Sequence, residues 1–414
     1  MERLLLGNIS ELAVVRRGPV PGRAMGHVET VAAAALLVED GRIAWFGREI
    51  DYDGPRDCES FDARGGCVLP GLIDCHTHSV FAGTREDEFV KRIEGKSYAQ
   101  IAEEGGGIRV SVDAVRAASR EELIEVTLPR LRRMLGNGVT TIEAKSGYGL
   151  TVADELKMLE AIRALDGRQP IEMVATYLAA HTAPREYAER REEYLDIVLD
   201  DKVLERIRDE GLAEFCDVFC ERTAFDIEQS RRVLLKAKGF GLKPRLHADQ
   251  ITGMGATALA GEVGAVSADH LETIDDAGIA AMKAAGTVAV LLPGCSFFLG
   301  VAQAPARRII EAGLPVAVAT DYNPGSSMIE SLPLVMSIAC TQARMTPTEA
   351  VVAATANAAA ALHRQDRLGA IEVGMQADLL VLDVPTHRRW LYEPGRNCTR
   401  AVFKCGKLVV DRTG

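Results

Sequence analysis

The chain has 414 residues, room for one large domain and a smaller one, and its 47% apolar and 26% charged residues are the ordinary mix of a water-exposed globular protein. A formal charge of −11 argues against gripping nucleic acid or anionic lipid, since either needs a basic face. Nine dispersed cysteines without a CxxC pair, a start that lacks a signal-peptide pattern, and no apolar run of about 18 residues together point to a cytoplasmic protein with no membrane span.

From Leu4 to about Cys67 the chain reads as short β-type runs divided by turns: LLLGN, ELAVV and GCVLPG. Within this zone Asp40-Gly41 separates two apolar stretches between Leu36 and Phe46, the pattern of a β-hairpin. Eight apolar runs follow: VLPGLID, VTTIEA, IEMVATYLAA, AEFCDVF, PRLHAD, GAVSADH, TVAVLLP and PVAVATD. Between them lie segments of helical period, such as ADELKMLEAIRALD, SRRVLLKAKGFG and DAGIAAMKAAG. Strands buried on both faces and alternating with helices predict a parallel α/β sheet, and eight is the number that closes a (β/α)8 TIM-like barrel. An open doubly wound sheet is the competing architecture. From about Gly374, ADLLVLD and AVFKCGKLVVD return to β character. The expected organisation is a catalytic barrel over residues 66–367 and a small composite β-sandwich domain from both chain ends, 1–65 and 368–414.

The polar residues that end these runs carry the chemistry. His76 and His78 follow the first; in an extended segment residues i and i+2 share a face, so both imidazoles can reach one ion. Later runs deliver His181, His247, His270 and Asp321. A single histidine reads more readily as a satisfied core or surface residue. Five of the chain's eight histidines at or just past strand ends, where barrel enzymes build their sites, read otherwise. The expected ligands are His76, His78, His247 and Asp321. Nitrogen and carboxylate donors suit Zn2+, with Fe2+ or manganese as alternatives. Such a catalytic site keeps a position open for water, whose pKa falls to about 7 on zinc. His270 is expected to act as proton acceptor or carbonyl polariser, and Asp321 to shuttle a proton to the leaving nitrogen.

VLPGLIDCHTH, the late ATD and QADLLVLD resemble the amidohydrolase superfamily. FAGTREDEF, GGGI, IEAKSGYGL, AAHTAP, HADQ, SADHLE, LLPG and TDYNPGSS narrow the resemblance, over nearly the whole chain, to the imidazolonepropionase family. The resemblance implies hydrolysis of the cyclic amide of 4-imidazolone-5-propanoate to N-formimino-L-glutamate in histidine degradation, and a homodimer. It also implies a substrate-contacting set of Arg85, Tyr148, His181, Gln250, Asn323, Gly325 and Ser326. Arg85 suits the substrate carboxylate because its fork matches carboxylate geometry, although a surface ion pair within TREDE is the alternative. A second reading of the whole chain is another amidohydrolase or deaminase acting on a related nitrogen heterocycle.

Some residues are informative by what they cannot do. Gln250 stands where many deaminases of the superfamily carry a proton-relaying Glu, and an amide has no useful pKa, so Gln250 is expected to hydrogen-bond only. Lys145 lacks the GxxxxGK spacing of a phosphate loop and reads as structural or as support for the ligands. Gly105-Gly106-Gly107 is expected to be a mobile loop near the site. Cys295 and Ser326-Ser327-Met328 are expected to border the pocket.

Overall fold

The computed structural model describes residues 2–96, 100 and 104–412. The N-terminal zone forms β1 (Arg3–Val14), β2 (Glu29–Glu39), β3 (Arg42–Arg48) and β4 (Glu59–Pro70). Asp40-Gly41 makes the expected turn. Glu39 pairs with Arg42, and Asp40 and Gly41 take φ values of 46° and 77°, the left-handed pair that a two-residue hairpin requires. β4 stays in this sheet to Pro70 before the chain enters the barrel.

The eight apolar runs become β5 (Leu72–Asp74), β6 (Val139–Lys145), β7 (Glu172–Ala180), β8 (Phe215–Cys220), β9 (Lys243–Ala248), β10 (Ser267–His270), β11 (Val288–Leu291) and β12 (Val316–Val318). They pair in parallel and in chain order. A parallel bridge between Thr77 and Tyr322 joins the first strand to the last, so the sheet closes rather than staying open. The seam is stitched by His78 N–H donating to Tyr322 O and Asp321 N–H donating to His76 O, each at 3.0 Å. Helices alternate with the strands as the periodicity predicts. ADELKMLEAIRALD is the helix Val152–Asp166, started by the Thr151 hydroxyl accepting from Asp154 N–H, and it buries Leu156, Leu159, Ile162 and Leu165.

The chain then returns as β13 (Leu379–Leu382), β14 (Thr399–Lys404) and β15 (Lys407–Asp411), which extend the N-terminal strands into one mixed seven-stranded sheet, β15-β14-β13-β4-β1-β2-β3. Alternation along β13 shows how the sheet is used. Leu379 and Val381 join a core with Leu6, Leu36 and Phe403, whereas Leu380 and Leu382 join the core of the barrel. The two chain ends therefore build one continuous sheet that packs onto the barrel.

An ionic clasp reinforces this seal. Glu172, at the start of β7, takes hydrogen bonds from Arg364 and Arg367 and lies 3.6 Å from the Lys404 ammonium on β14. Burial alone would raise the Glu172 carboxyl, but Arg367, Lys404 and Arg364 outweigh it and hold its pKa down at about 2. Among the described residues no helix is long and apolar enough to cross a membrane.

Candidate metal centre and active site

His76 and His78 leave β5 on one face, His247 lies near the end of β9, His270 ends β10, and Asp321 follows β12; all five side chains are buried. His270 and Asp321 have φ values of 85° and 51°, a left-handed turn that bulky residues adopt only where the surroundings enforce it. Nε2 of His78 lies 3.4 Å from Nε2 of His247, and Oδ1 of Asp321 lies 3.6 Å from Nε2 of both His76 and His78. Nε2 of His76 has no hydrogen-bond partner among the described residues. Buried donor and acceptor atoms are seldom left so. The spacing has a simple meaning: two nitrogens about 2.0–2.1 Å from one tetrahedral zinc lie about 3.4 Å apart. The residues fit a divalent ion. Candidate donor atoms fall into two overlapping groups, His76–His78–His247 and His76–His270–Asp321, each within 4.8 Å.

Beneath the histidines is a floor of charge. Nδ1 of His76 lies 2.6 Å from Asp269 Oδ2, and Nδ1 of His247 lies 3.0 Å from Asp217 Oδ1. Each carboxylate fixes its imidazole with Nδ1 protonated and Nε2 bare, the form that binds metal. The carboxylates are held in turn. Lys145 Nζ donates to Glu143 Oε1 and Asp217 Oδ2, both at 2.7 Å, while Arg245 Nη2 donates to Asp269 Oδ2 at 3.1 Å and to the Cys75 carbonyl at 2.7 Å. All five charged side chains of this floor are fully buried. Lys145 thus braces the carboxylate that holds His247. Sequence reasoning missed Glu143, Asp217, Arg245 and Asp269, although a charge inside a strand buried on both faces was a usable sign of a buried partner.

Around the mouth the remaining candidates come together. Arg85 grips Glu88 through Nε and Nη2 at 3.0 and 2.6 Å, so the ion pair within TREDE exists, but it is nearly buried rather than on the surface. Its Nη1 reaches across to the loop after β12: a Cβ added to Gly325 would stand 2.3 Å from it, so a side chain there would have to push the guanidinium aside. Glu88 also accepts from Gly107 N–H at 2.8 Å, tying the end of the triple-glycine stretch to Arg85. His181 stacks on His78 with ring centroids 5.1 Å apart, and the Tyr148 ring lies 5.5 Å from His181. Asn323 builds its own loop: Oδ1 accepts from Gly325 and Ser326 N–H at 2.8 and 2.7 Å, and Nδ2 donates to Ser326 Oγ at 2.8 Å. Ser326 Oγ lies 3.4 Å from Asp321 Oδ2. Gln250 points its amide at the Cys295 thiol, 3.9 Å away, so Cys295 does border this group. Glu221, another residue the sequence did not flag, supports Gln250 by accepting from Ile251 and Thr252 N–H at 3.2 and 3.0 Å.

The electrostatics separate the histidines. Burial, aided by Lys145 at His76 and by His181 at His78, pushes both well below the usual imidazole pKa and keeps them neutral. Burial and His247 take His181 down to about 3. His270 goes the other way: burial lowers it, but Glu272, Asp321 and Asp269 together hold it above its ordinary value. Burial also raises the Asp321 carboxyl, against the opposing pull of His270 and His247.

Comparison with known proteins matches residues 85–394 to a family model described as the amidohydrolase family. Imidazolonepropionase of Symbiobacterium thermophilum is 44% identical, the match covering 99% of this chain and 97% of that protein. Imidazolonepropionase of Fusobacterium nucleatum is 45% identical, covering 99% of each. Among solved structures, an adenosine deaminase from Xanthomonas campestris with bound zinc superposes with a TM-score of 0.75 at 18% identity, over 99% of this chain and 93% of that one. Guanine deaminase from E. coli superposes with a TM-score of 0.72 at 15% identity over the whole of both chains. At such identities the structures speak to the fold alone.

Proposed function

Because the chain belongs to the amidohydrolase family and, within it, to the imidazolonepropionases, we propose that His76, His78, His247 and Asp321 hold one divalent ion for the ring-opening hydrolysis of 4-imidazolone-5-propanoate to N-formimino-L-glutamate. The enzyme is a hydrolase of a carbon–nitrogen bond in histidine degradation, acting on a small molecule that carries a carboxylate. The observation that carries the metal assignment is the meeting of three imidazole nitrogens and one carboxylate oxygen from β5, β9 and the end of β12. Zn2+ is the ion best suited to this donor set, with Fe2+ second. When bound, it supplies Lewis acidity that makes water a usable nucleophile near neutral pH.

The chain's own residues do the rest. Arg85 takes the substrate carboxylate through the edge of its guanidinium that faces Gly325. Tyr148, His181 and Gln250 orient the ring, while Asn323 shapes the loop on which Gly325 and Ser326 line the side next to Asp321. Asp321 uses Oδ1 toward the histidines and leaves Oδ2 to accept a proton from the attacking water and return it to the ring nitrogen as the bond breaks. His270, with Glu272 3.6 Å from its Nδ1, is a second proton carrier and polarises the amide carbonyl. We further propose a cytosolic homodimer. Nine free thiols agree with a reducing compartment, and Phe89, Val90, Ile93, Phe297 and Val301 expose apolar surface that an association would cover.

Metal-loaded protein given fresh 4-imidazolone-5-propanoate should remove its ultraviolet absorbance and yield N-formimino-L-glutamate. No turnover, with ammonia release from another heterocycle instead, would replace this substrate assignment.

A further inference from the structure

Glu155 is a completely buried carboxylate whose partners are backbone amides. Oε2 accepts from Gly147 N–H at 2.9 Å, and Oε1 accepts from Gly149 and Leu150 N–H, both at 2.8 Å. The Ser146 hydroxyl adds a further hydrogen bond. Both oxygens are therefore committed as acceptors, and an amide at this position would set its own N–H groups against Gly147 N–H. The loop it holds is pressed against its surroundings. A Cβ on Gly149 would lie 2.6 Å from the backbone of Asp154 and Glu155, and Leu150 has a left-handed φ of 52°. Such backbone persists only where several contacts enforce it.

The clamp reaches the site by one more link. The Gly147 carbonyl lies 2.9 Å from Nδ1 of His181. A carbonyl oxygen can only accept, so Nδ1 carries the proton and Nε2 of the neutral ring is a bare acceptor. We propose that Glu155 is a positioning residue for substrate recognition: by clamping residues 147–150 it sets Tyr148 and locks His181 in the Nδ1–H form, so that Nε2 selects a ring that presents an N–H donor, as a cyclic amide does, over one that presents a lone pair. The proposal rests on the reading that Tyr148 and His181 touch the substrate.

Three measurements on the metal-loaded enzyme test it. In 15N-histidine-labelled protein, with the His181 signals assigned by their loss in His181→Gln, the protonated nitrogen should be Nδ1; finding Nε2–H overturns the proposal without any variant of Glu155. Glu155→Gln should raise KM about tenfold, the effect of a misaligned hydrogen bond, with kcat nearly kept. An unchanged KM in folded protein, or a loss confined to kcat, overturns it. If that variant does not fold, Gly149→Ala lifts the same loop and should raise KM alike, and an unchanged KM there is equally fatal. Adding Glu155→Gln to His181→Gln should raise KM by clearly less than tenfold, because the part of the effect that runs through His181 is already lost and only the part through Tyr148 remains; a full additional tenfold rise overturns it. His181→Gln with unaltered KM would instead sink the substrate-contact reading, while the tautomer result still stands or falls separately.

Discussion

The floor and the mouth of the barrel are built by opposite means. On the floor, charge meets charge: Lys145 and Arg245 lie among Glu143, Asp217 and Asp269, and what they fix is the tautomer of His76 and His247. At the mouth, carboxylates meet backbone: Glu155 and Glu221 accept peptide N–H groups, as does Glu88 beside its pairing with Arg85, and what they fix is the course of a loop. Strand ends need no help to keep their path, only the right protonation. Loops have the reverse need. The difference teaches that metal affinity and substrate affinity should be separable by mutation.

The largest effect is expected at the boundary between the regions. His270→Ala should lower kcat about 100- to 10,000-fold, as loss of a general acid–base does, with metal still bound by elemental analysis. Metal loss in that variant would make His270 a ligand and move it to the floor. Next, Lys145→Met leaves buried carboxylates unpaired. It should cost about 3–5 kcal/mol in urea unfolding and weaken metal binding about 10- to 100-fold, while KM at saturating metal changes little. A KM effect as large as the metal effect would erase the separation. At the mouth, Arg85→Ala should raise KM about 10- to 100-fold with metal content intact, and Gly325→Ala should do the same more weakly by displacing the guanidinium.

The smallest effect on turnover is expected from Glu172→Gln, at the far end of the barrel. The Glu172 pKa is about 2 in the fold against an ordinary 4.5, so its stabilisation is complete above about pH 4.5 and is lost as pH falls toward 2. The variant should be less stable at neutral pH and lose less on acidification, read by urea unfolding from pH 7 to 3, with kinetics unchanged. A pH dependence equal to that of the parent protein would show the clasp to be inert.

Much of this was legible in the chain. The apolar runs located all eight barrel strands because a strand buried on both faces can carry little else. The i, i+2 spacing of His76 and His78 announced a shared face, and Asp40-Gly41 announced its hairpin. Lys145 could be called structural, and Glu143, two residues before it on the same strand face, was within reach of the same i, i+2 rule, but Asp217 lies on another strand and was not. Glu155 was hidden for a different reason. An acid in the first turn of a helix is unremarkable by sequence, and only the folded loop shows that it faces three amides.

The hydrogen bonds joining the first and last staves run between His76 and Asp321 and beside His78, the same residues proposed to grip the ion. An ion held there would be a rivet through the joint, and its binding energy would add directly to the cohesion of the whole cylinder. Chelation should loosen the protein there first, with the amide protons of His78 and Asp321 exchanging with solvent sooner than those on the opposite side of the barrel.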